Sequence, residues 1–215
     1  GVCPNRTKDD ANLPPPQNIH QATDLNPTKR GIIYADLLNA VSETYREEIL
    51  TPEQGEGLNK YLEKRKESLF GITNGVDYEV FNPALDKTIK VNYDLNSLEK
   101  KVKNKLALQK EFDLKISAET PIIGMIHRIT EQKGFDLILK ILDHLLKKNV
   151  QLIISGGGDE KYIKAFKKFR IKCPEKFGFY SKFSTEMQGK IFAGADMFLM
   201  PSHFEPCGLP QLFSL

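Results

Sequence analysis

Cysteine is scarce in this chain. Cys3, Cys173 and Cys207 stand far apart, with no CxxC pair among them. A sparse, odd count fits a reducing compartment and argues against a disulfide framework or a zinc site. Long apolar runs are missing too. None nears the roughly 18 residues that span a bilayer, and no signal peptide is recognisable at the start. The chain begins at Gly1 rather than Met, which fits a true start further upstream. Charge of one sign is not in excess. The formal net charge is +3, which gives no reason to invoke nucleic acid or a membrane surface. The basic stretches EKKVKNK and KAFKKFRIK read as solvated helix faces. His127 and His203 have no second ligand at metal-binding spacing, so no metal is expected. A soluble cytoplasmic protein, or a piece of one, is the expectation that remains.

What is present is enough apolar residue for a core. Hydrophobic residues make up 40% and charged residues 27%, which fits one large domain or one and a half. Residues 1–28 hold PPP and few large apolar side chains, and they read as an extended or disordered lead-in. From Gly31 the text turns globular. IIYADLLNAVS reads as a short helix running into a strand, and Ser42 as the cap of the helix ETYREEI. LNKYLEKRKESL reads as a helix. FGITNGV reads as a short strand ending in the turn pair Asn74-Gly75. SLEKKVKNKLALQKEF carries Leu98, Val102, Leu106 and Leu108 at helical spacing.

After Lys115 the pattern alternates. PIIGMIH, VQLIISG, KFGFY and DMFLMPS read as strands, separated by the helices KGFDLILKILDHLLKK, GGDEKYIKAFKKFRIK and STEMQGKIFAGA, the last capped by Ser184. Continuous apolar strands alternating with helices argue for an α/β fold, a Rossmann-like parallel sheet with helices on both faces. In such sheets ligands bind beyond the carboxyl ends of the strands. Four loops are expected there: TNGVD, HRITEQKG, SGGGDE and SHFEPCGLP.

Those loops carry the candidate chemistry. Arg128 lies just past a strand, and Lys133 follows at the start of a helix. A guanidinium and an ammonium beside a helix N-terminus suit a phosphate or diphosphate; the alternative is two surface cations. SGGGDE is neither GxGxxG nor a P-loop, and it reads first as a tight structural turn. Glu205 sits between a strand and a glycine. It is either an acceptor for sugar hydroxyls or a loop residue in solvent. His127 either faces the pocket or plays a structural part. Phe183 either stacks on a nucleobase or belongs to the core. Cys207 reads as a small buried thiol rather than a nucleophile.

Several stretches, taken together, resemble a known family. LLNAVSETYREEI, TPEQGEGL, FGITNGVDYEVFNP, HRITEQKGFDLIL and GADMFLMPSHFEPCGLPQL are similar to the bacterial glycogen synthases and plant starch synthases, over about residues 28 to 215. The resemblance implies a GT-B architecture of two Rossmann-like domains. On that template residues 29–70 are the tail of the N-terminal, acceptor-side domain with the hinge, and 71–215 a truncated nucleotide-sugar-binding domain. It implies retaining transfer of glucose from ADP-glucose to the non-reducing end of an α-1,4-glucan, without metal or other cofactor. Arg128 and Lys133 match the diphosphate pair and Glu205 the carboxylate that holds the donor glucose. Gly208 and Leu209 match the backbone beside the distal phosphate and sugar, and Phe183 the aromatic on adenine. Asn74 and Asp77 belong to the hinge signature, with a structural role. The location implied is cytoplasmic, or a plastid in a plant or alga.

Three departures are visible. Pro210 stands where the family has a small or hydroxylated residue, and it offers no amide to a phosphate. Phe213 stands where the wider superfamily has a second glutamate. The lysine-glycine-glycine donor loop, the acceptor-binding residues and the closing helix do not appear. The chain is therefore expected to be an internal fragment without synthase activity by itself. Two other readings remain beside this one: a UDP-sugar-dependent retaining glycosyltransferase, and a non-catalytic nucleotide-binding module.

Overall fold

Asn26 opens the first helix. Its side chain accepts the Lys29 amide at 2.9 Å, and Pro27 fills the first turn, where an amide donor is not needed. The computed structural model describes residues 26–214, so most of the expected lead-in and Cys3 lie outside the described residues. The described residues divide into two compact units, with the boundary between Gly75 and Val76.

In the first unit, α1 (Pro27–Tyr34) leads to β1 (Leu38–Ala40), α2 (Glu43–Glu48), α3 (Asn59–Glu63) and β2 (Leu69–Gly71). Ser42 caps α2, accepting the Tyr45 amide at 3.0 Å. β1 and β2 pair in parallel, Leu38 opposite Leu69, over a core of Ile32, Leu62 and Leu69. The stretch LNKYLEKRKESL, expected as one helix, is α3 followed by a 3-10 turn, Lys66–Ser68. The break falls at Arg65, whose guanidinium bonds the carbonyls of Ile32, Ile33 and Ala35 at the end of α1. Asn74-Gly75 forms no turn. The turn comes later, at Tyr78–Val80, because the Asp77 carboxylate accepts the amides of Glu79 at 2.9 Å and Val80 at 3.3 Å.

The second unit runs α4 (Lys101–Glu111), β3 (Ile122–Ile126), α5 (Phe135–Leu145), β4 (Gln151–Ser155), α6 (Glu160–Lys172), β5 (Phe177–Tyr180), α7 (Thr185–Gly194), β6 (Met197–Phe198) and α8 (Leu209–Ser214). Its four strands form one parallel sheet in the order β5-β4-β3-β6. Phe135, Ile138 and Leu142 of α5 and Ile163 and Phe166 of α6 fill one face. Leu108 of α4 and Met187 and Ile191 of α7 fill the other. The unbroken apolar text of β3 and β4 follows from this: strands covered on both sides have no solvent face to mark with polar residues. The architecture is the α/β parallel sheet with helices on both faces.

The helix expected over SLEKKVKNKLALQKEF is present, as a 3-10 turn (Leu98–Lys100) running into α4, and Leu108 of its apolar stripe is buried. Leu98 is 52% exposed and Val102 39%, while Asn104, Lys105 and Gln109 are buried. Those polar groups are accepted because each is satisfied. Asn104 bonds both backbone groups of Val91. Lys105 donates to the Ala118 carbonyl and pairs with Asp196. Gln109 joins Gln151 and Ser117. One expectation needs correction here, the placing of TNGVD. It follows β2, which belongs to the two-stranded sheet, so it does not share the carboxyl edge of the larger one. The loop after β5, Ser181–Ser184, is on that edge instead.

Candidate functional site

The carboxyl edge of the four-stranded sheet gathers the loops after β3, β4, β5 and β6. The first two are zipped together. The Ile129 amide donates to Gly157 and the Asp159 amide to Ile129, both at 2.8 Å. This close approach sets the residue type at Gly156, where a Cβ would stand 1.8 Å from the His127 carbonyl oxygen. Gly158 is as crowded, 2.2 Å from the Ile129 carbonyl oxygen, so Gly156 and Gly158 of SGGGDE have a packing role in an extended segment bridged to Ile129 rather than in the tight turn expected.

The loop after β3 turns back at Gly134, whose φ of 74° is left-handed. A Cβ there would meet the Pro201 carbonyl oxygen at 2.1 Å. The His203 amide donates to the Gln132 carbonyl at 2.9 Å, and the His203 ring contacts the Asp136 carboxylate at 2.9 Å. Three separate contacts thus seat the loop after β6 on the turn that enters α5.

The seating brings Lys133 to Glu205. The ammonium and the carboxylate Oε1 form an ion pair, and the side chains are only 15% and 22% exposed. Ser202 Oγ donates to the same Oε1 at 2.8 Å. Sequence reasoning passed over Ser202; its position three residues before a candidate glutamate is the signal that was available.

His127 directly follows β3, buried, with its ring 5.8 Å from that of Phe198. Its Nε2 has no hydrogen-bond partner among the described residues, and neither does Thr130 Oγ1. Burial, and next the Lys133 ammonium, lower the His127 pKa to about 4, against the opposing pull of Glu205. At neutral pH the ring is uncharged. Arg128 is exposed and, among the described residues, its side chain forms no ion pair or hydrogen bond. It does not share the Lys133–Glu205 contact.

Phe183 is 65% exposed, which removes the core reading. It lies between β5 and the Ser184 cap of α7, whose hydroxyl accepts the Met187 amide. Gly208 is buried, and Leu209 begins α8. Phe213 stacks on Phe81 at 3.7 Å and meets Phe192 edge-on, so at this position the chain uses a ring for packing rather than a carboxylate. Cys173 and Cys207 are free thiols.

A cavity of about 310 Å³ lies elsewhere, between residues 88–90, α4 and α7. Three of its polar side chains are already paired: Asn104 with Val91, and Lys190 with Glu111 and also with Glu186 outside the lining. The carboxyl edge is chemically different. It joins a cation, a carboxylate and a neutral histidine with an unpartnered nitrogen. That set can hold an anion beside a group bearing hydroxyls.

Comparison with known proteins identifies the family. The model of glycosyl transferases group 1 matches residues 108–212, and the model of the starch synthase catalytic domain matches residues 1–64. A glycogen synthase of Thermotoga petrophila is 49% identical over 191 residues, covering 89% of this chain and 39% of that protein. One from Kosmotoga olearia is 49% identical over 187 residues. The chain thus spans about two fifths of the length of these relatives. Among solved structures, the catalytic domain of starch synthase IV from Arabidopsis thaliana, bound to ADP and acarbose, superposes with a TM-score of 0.83. It is 33% identical, covering 88% of this chain and 39% of that one. A sucrose-phosphate synthase from Thermosynechococcus elongatus, at 18% identity and a TM-score of 0.56, shares the fold.

Proposed function

By sequence and by fold this chain is a relative of the glycogen and starch synthases, and from that premise we propose that the protein it belongs to transfers glucose from ADP-glucose to the non-reducing end of an α-1,4-glucan, with retention. The observation that carries the reading is the Lys133–Glu205 contact, made by residues far apart in sequence at the carboxyl edge of a parallel sheet. On this reading residues 29–70 belong to the acceptor-side domain and hinge, and 71–215 to the nucleotide-sugar side. The working location is the cytoplasm.

Each residue then has a task. Lys133 and Arg128 offset the charge that develops on the departing diphosphate, where a pre-placed cation lowers the barrier without reorganising. Glu205 accepts hydrogen bonds from the glucose hydroxyls. The backbone at Gly208 and Leu209 approaches the distal phosphate, while Pro210 contributes no amide. Phe183 offers an exposed ring to the adenine. His127, uncharged at neutral pH, presents Nε2 to a donor hydroxyl. The starch synthase IV structure, solved with ADP, supports adenine over uracil; the sucrose-phosphate synthase, at 18% identity, supports the fold alone.

The test is donor competition in the complete protein. ADP-glucose is expected to label glucan in preference to UDP-glucose. Arg128→Ala and Lys133→Ala are each expected to lower the rate by at least roughly 100-fold. Unchanged rates would remove the diphosphate assignment.

A further inference from the structure

Lys133 already has a counter-charge inside the protein. Its ammonium sits on Glu205 Oε1, and both side chains are mostly buried, where an ion pair is screened less than at the surface. The reading above, on which this inference rests, asks Lys133 for a diphosphate and Glu205 for a sugar. The two demands interfere. A lysine neutralised by a carboxylate offers a phosphate little net charge, and the carboxylate itself repels the anion. To give its full charge, Lys133 must leave Glu205. Glu205 then loses its cation in a partly dry site, a costly state unless other donors arrive. Sugar hydroxyls are such donors. Ser202 supplies one that does not depend on Lys133, because its hydroxyl is bound to the same Oε1.

We propose that the Lys133–Glu205 pair discriminates between the intact nucleotide sugar and the free nucleoside diphosphate. A ligand carrying both diphosphate and sugar satisfies both members of the pair. A bare diphosphate takes Lys133 and leaves Glu205 with Ser202 alone, so it is held less tightly. The device favours donor over product, and it releases the nucleotide once the sugar has gone. Ser202 acts as a positioning residue, keeping the carboxylate in place while the lysine moves.

A double-mutant cycle on ADP affinity tests this, with the 215-residue chain, Lys133→Met, Glu205→Gln and the double variant titrated by calorimetry. Glutamine keeps the shape of glutamate and an acceptor for the lysine, and urea unfolding confirms that each variant is folded. Glu205→Gln is expected to bind ADP at least about fivefold more tightly, the low end of ordinary coupling between sites. In the Lys133→Met background that gain should vanish, because no lysine remains to be released. An unchanged or weakened ADP affinity in Glu205→Gln would overturn the inference. So would a gain that persists without Lys133, which would report a general field effect. Lys133→Met with unaltered ADP affinity would instead overturn the diphosphate reading, and this inference with it. Ser202→Ala adds a second readout: ADP binding should weaken, because a bare diphosphate then leaves Glu205 without a donor, and the loss should vanish in the Glu205→Gln background. An ADP affinity that Ser202→Ala leaves unchanged would contradict the part given to Ser202.

Discussion

Gly134 and Pro201 touch so closely that the glycine has no room for a side chain. The Pro201 carbonyl oxygen occupies the place of a Cβ, 2.1 Å from its ideal position, and the glycine φ is left-handed. This contact joins the turn that carries Lys133 to the loop that carries Glu205. Gly134→Ala should therefore cost about 1–2 kcal/mol for the backbone conformation, plus the displacement of Pro201. A total near 2 kcal/mol would lower Tm by about 4–8 °C at this chain length. Thermal unfolding followed by circular dichroism measures it, and an unchanged Tm would contradict the packing described.

The buried glutamines give a second prediction. Gln109 Nε2 donates to Gln151 Oε1 at 2.8 Å and to the Ser117 carbonyl, and Gln109 Oε1 accepts the Ser117 amide. Gln109→Leu keeps the volume but strands three polar groups. It should destabilise by at least about 2 kcal/mol, since each buried unsatisfied group costs roughly 1–3 kcal/mol. Urea unfolding is the measurement. If the loss is small, the side chain of α4 that faces the sheet has been misidentified.

His127 makes stability depend on pH. Its pKa falls from 6.5 to about 4 on folding, through burial first and the Lys133 ammonium second. The native state therefore resists protonation that the unfolded chain accepts. The neutral ring's contribution is complete above about pH 6.5 and is lost as pH falls toward 4, to a limit on the order of 3 kcal/mol. Unfolding free energies of the wild type and His127→Gln, compared between pH 7 and pH 4.5, should converge as the pH drops. Parallel pH profiles would show that His127 does not titrate in this way.

Phe183 separates binding from stability. At 65% exposure, Phe183→Ala should change unfolding free energy by no more than about 0.5 kcal/mol. If the ring stacks on adenine, the same change should weaken ADP by about 1–3 kcal/mol, the usual range for base stacking. Equal ADP affinity for the two proteins would remove Phe183 from the site.

Much of this arrangement can be read from the text of the chain. IIGMI and QLIIS are apolar without alternation because the sheet is covered on both faces, and that physical necessity shows in composition. Ser42 and Ser184 announce their helices because an N-cap is a local hydrogen bond. The α4 face was illegible for the opposite reason. Asn104, Lys105 and Gln109 are buried through partners far along the chain, at Val91, Asp196 and Gln151, and periodicity counts only apolar residues. TNGVD reads as part of the same edge because a strand's sequence does not say which sheet it joins. At the site, strand ends pointed to Lys133 and Glu205 separately. Their contact, and the shared hold of Ser202 on Oε1, needed the fold.

The central claim is that the carboxyl edge of the four-stranded sheet binds a nucleoside diphosphate at Lys133. Titration of the isotopically labelled chain with ADP, followed by amide shifts in NMR spectra, tests it most directly. The shifts should concentrate at residues 127–134, 156–158, 181–184 and 202–209, and Lys133→Ala should weaken the response at all four loops together. Shifts centred instead on the cavity beside Thr88, Asn104 and Lys190, or a response indifferent to Lys133, would contradict it.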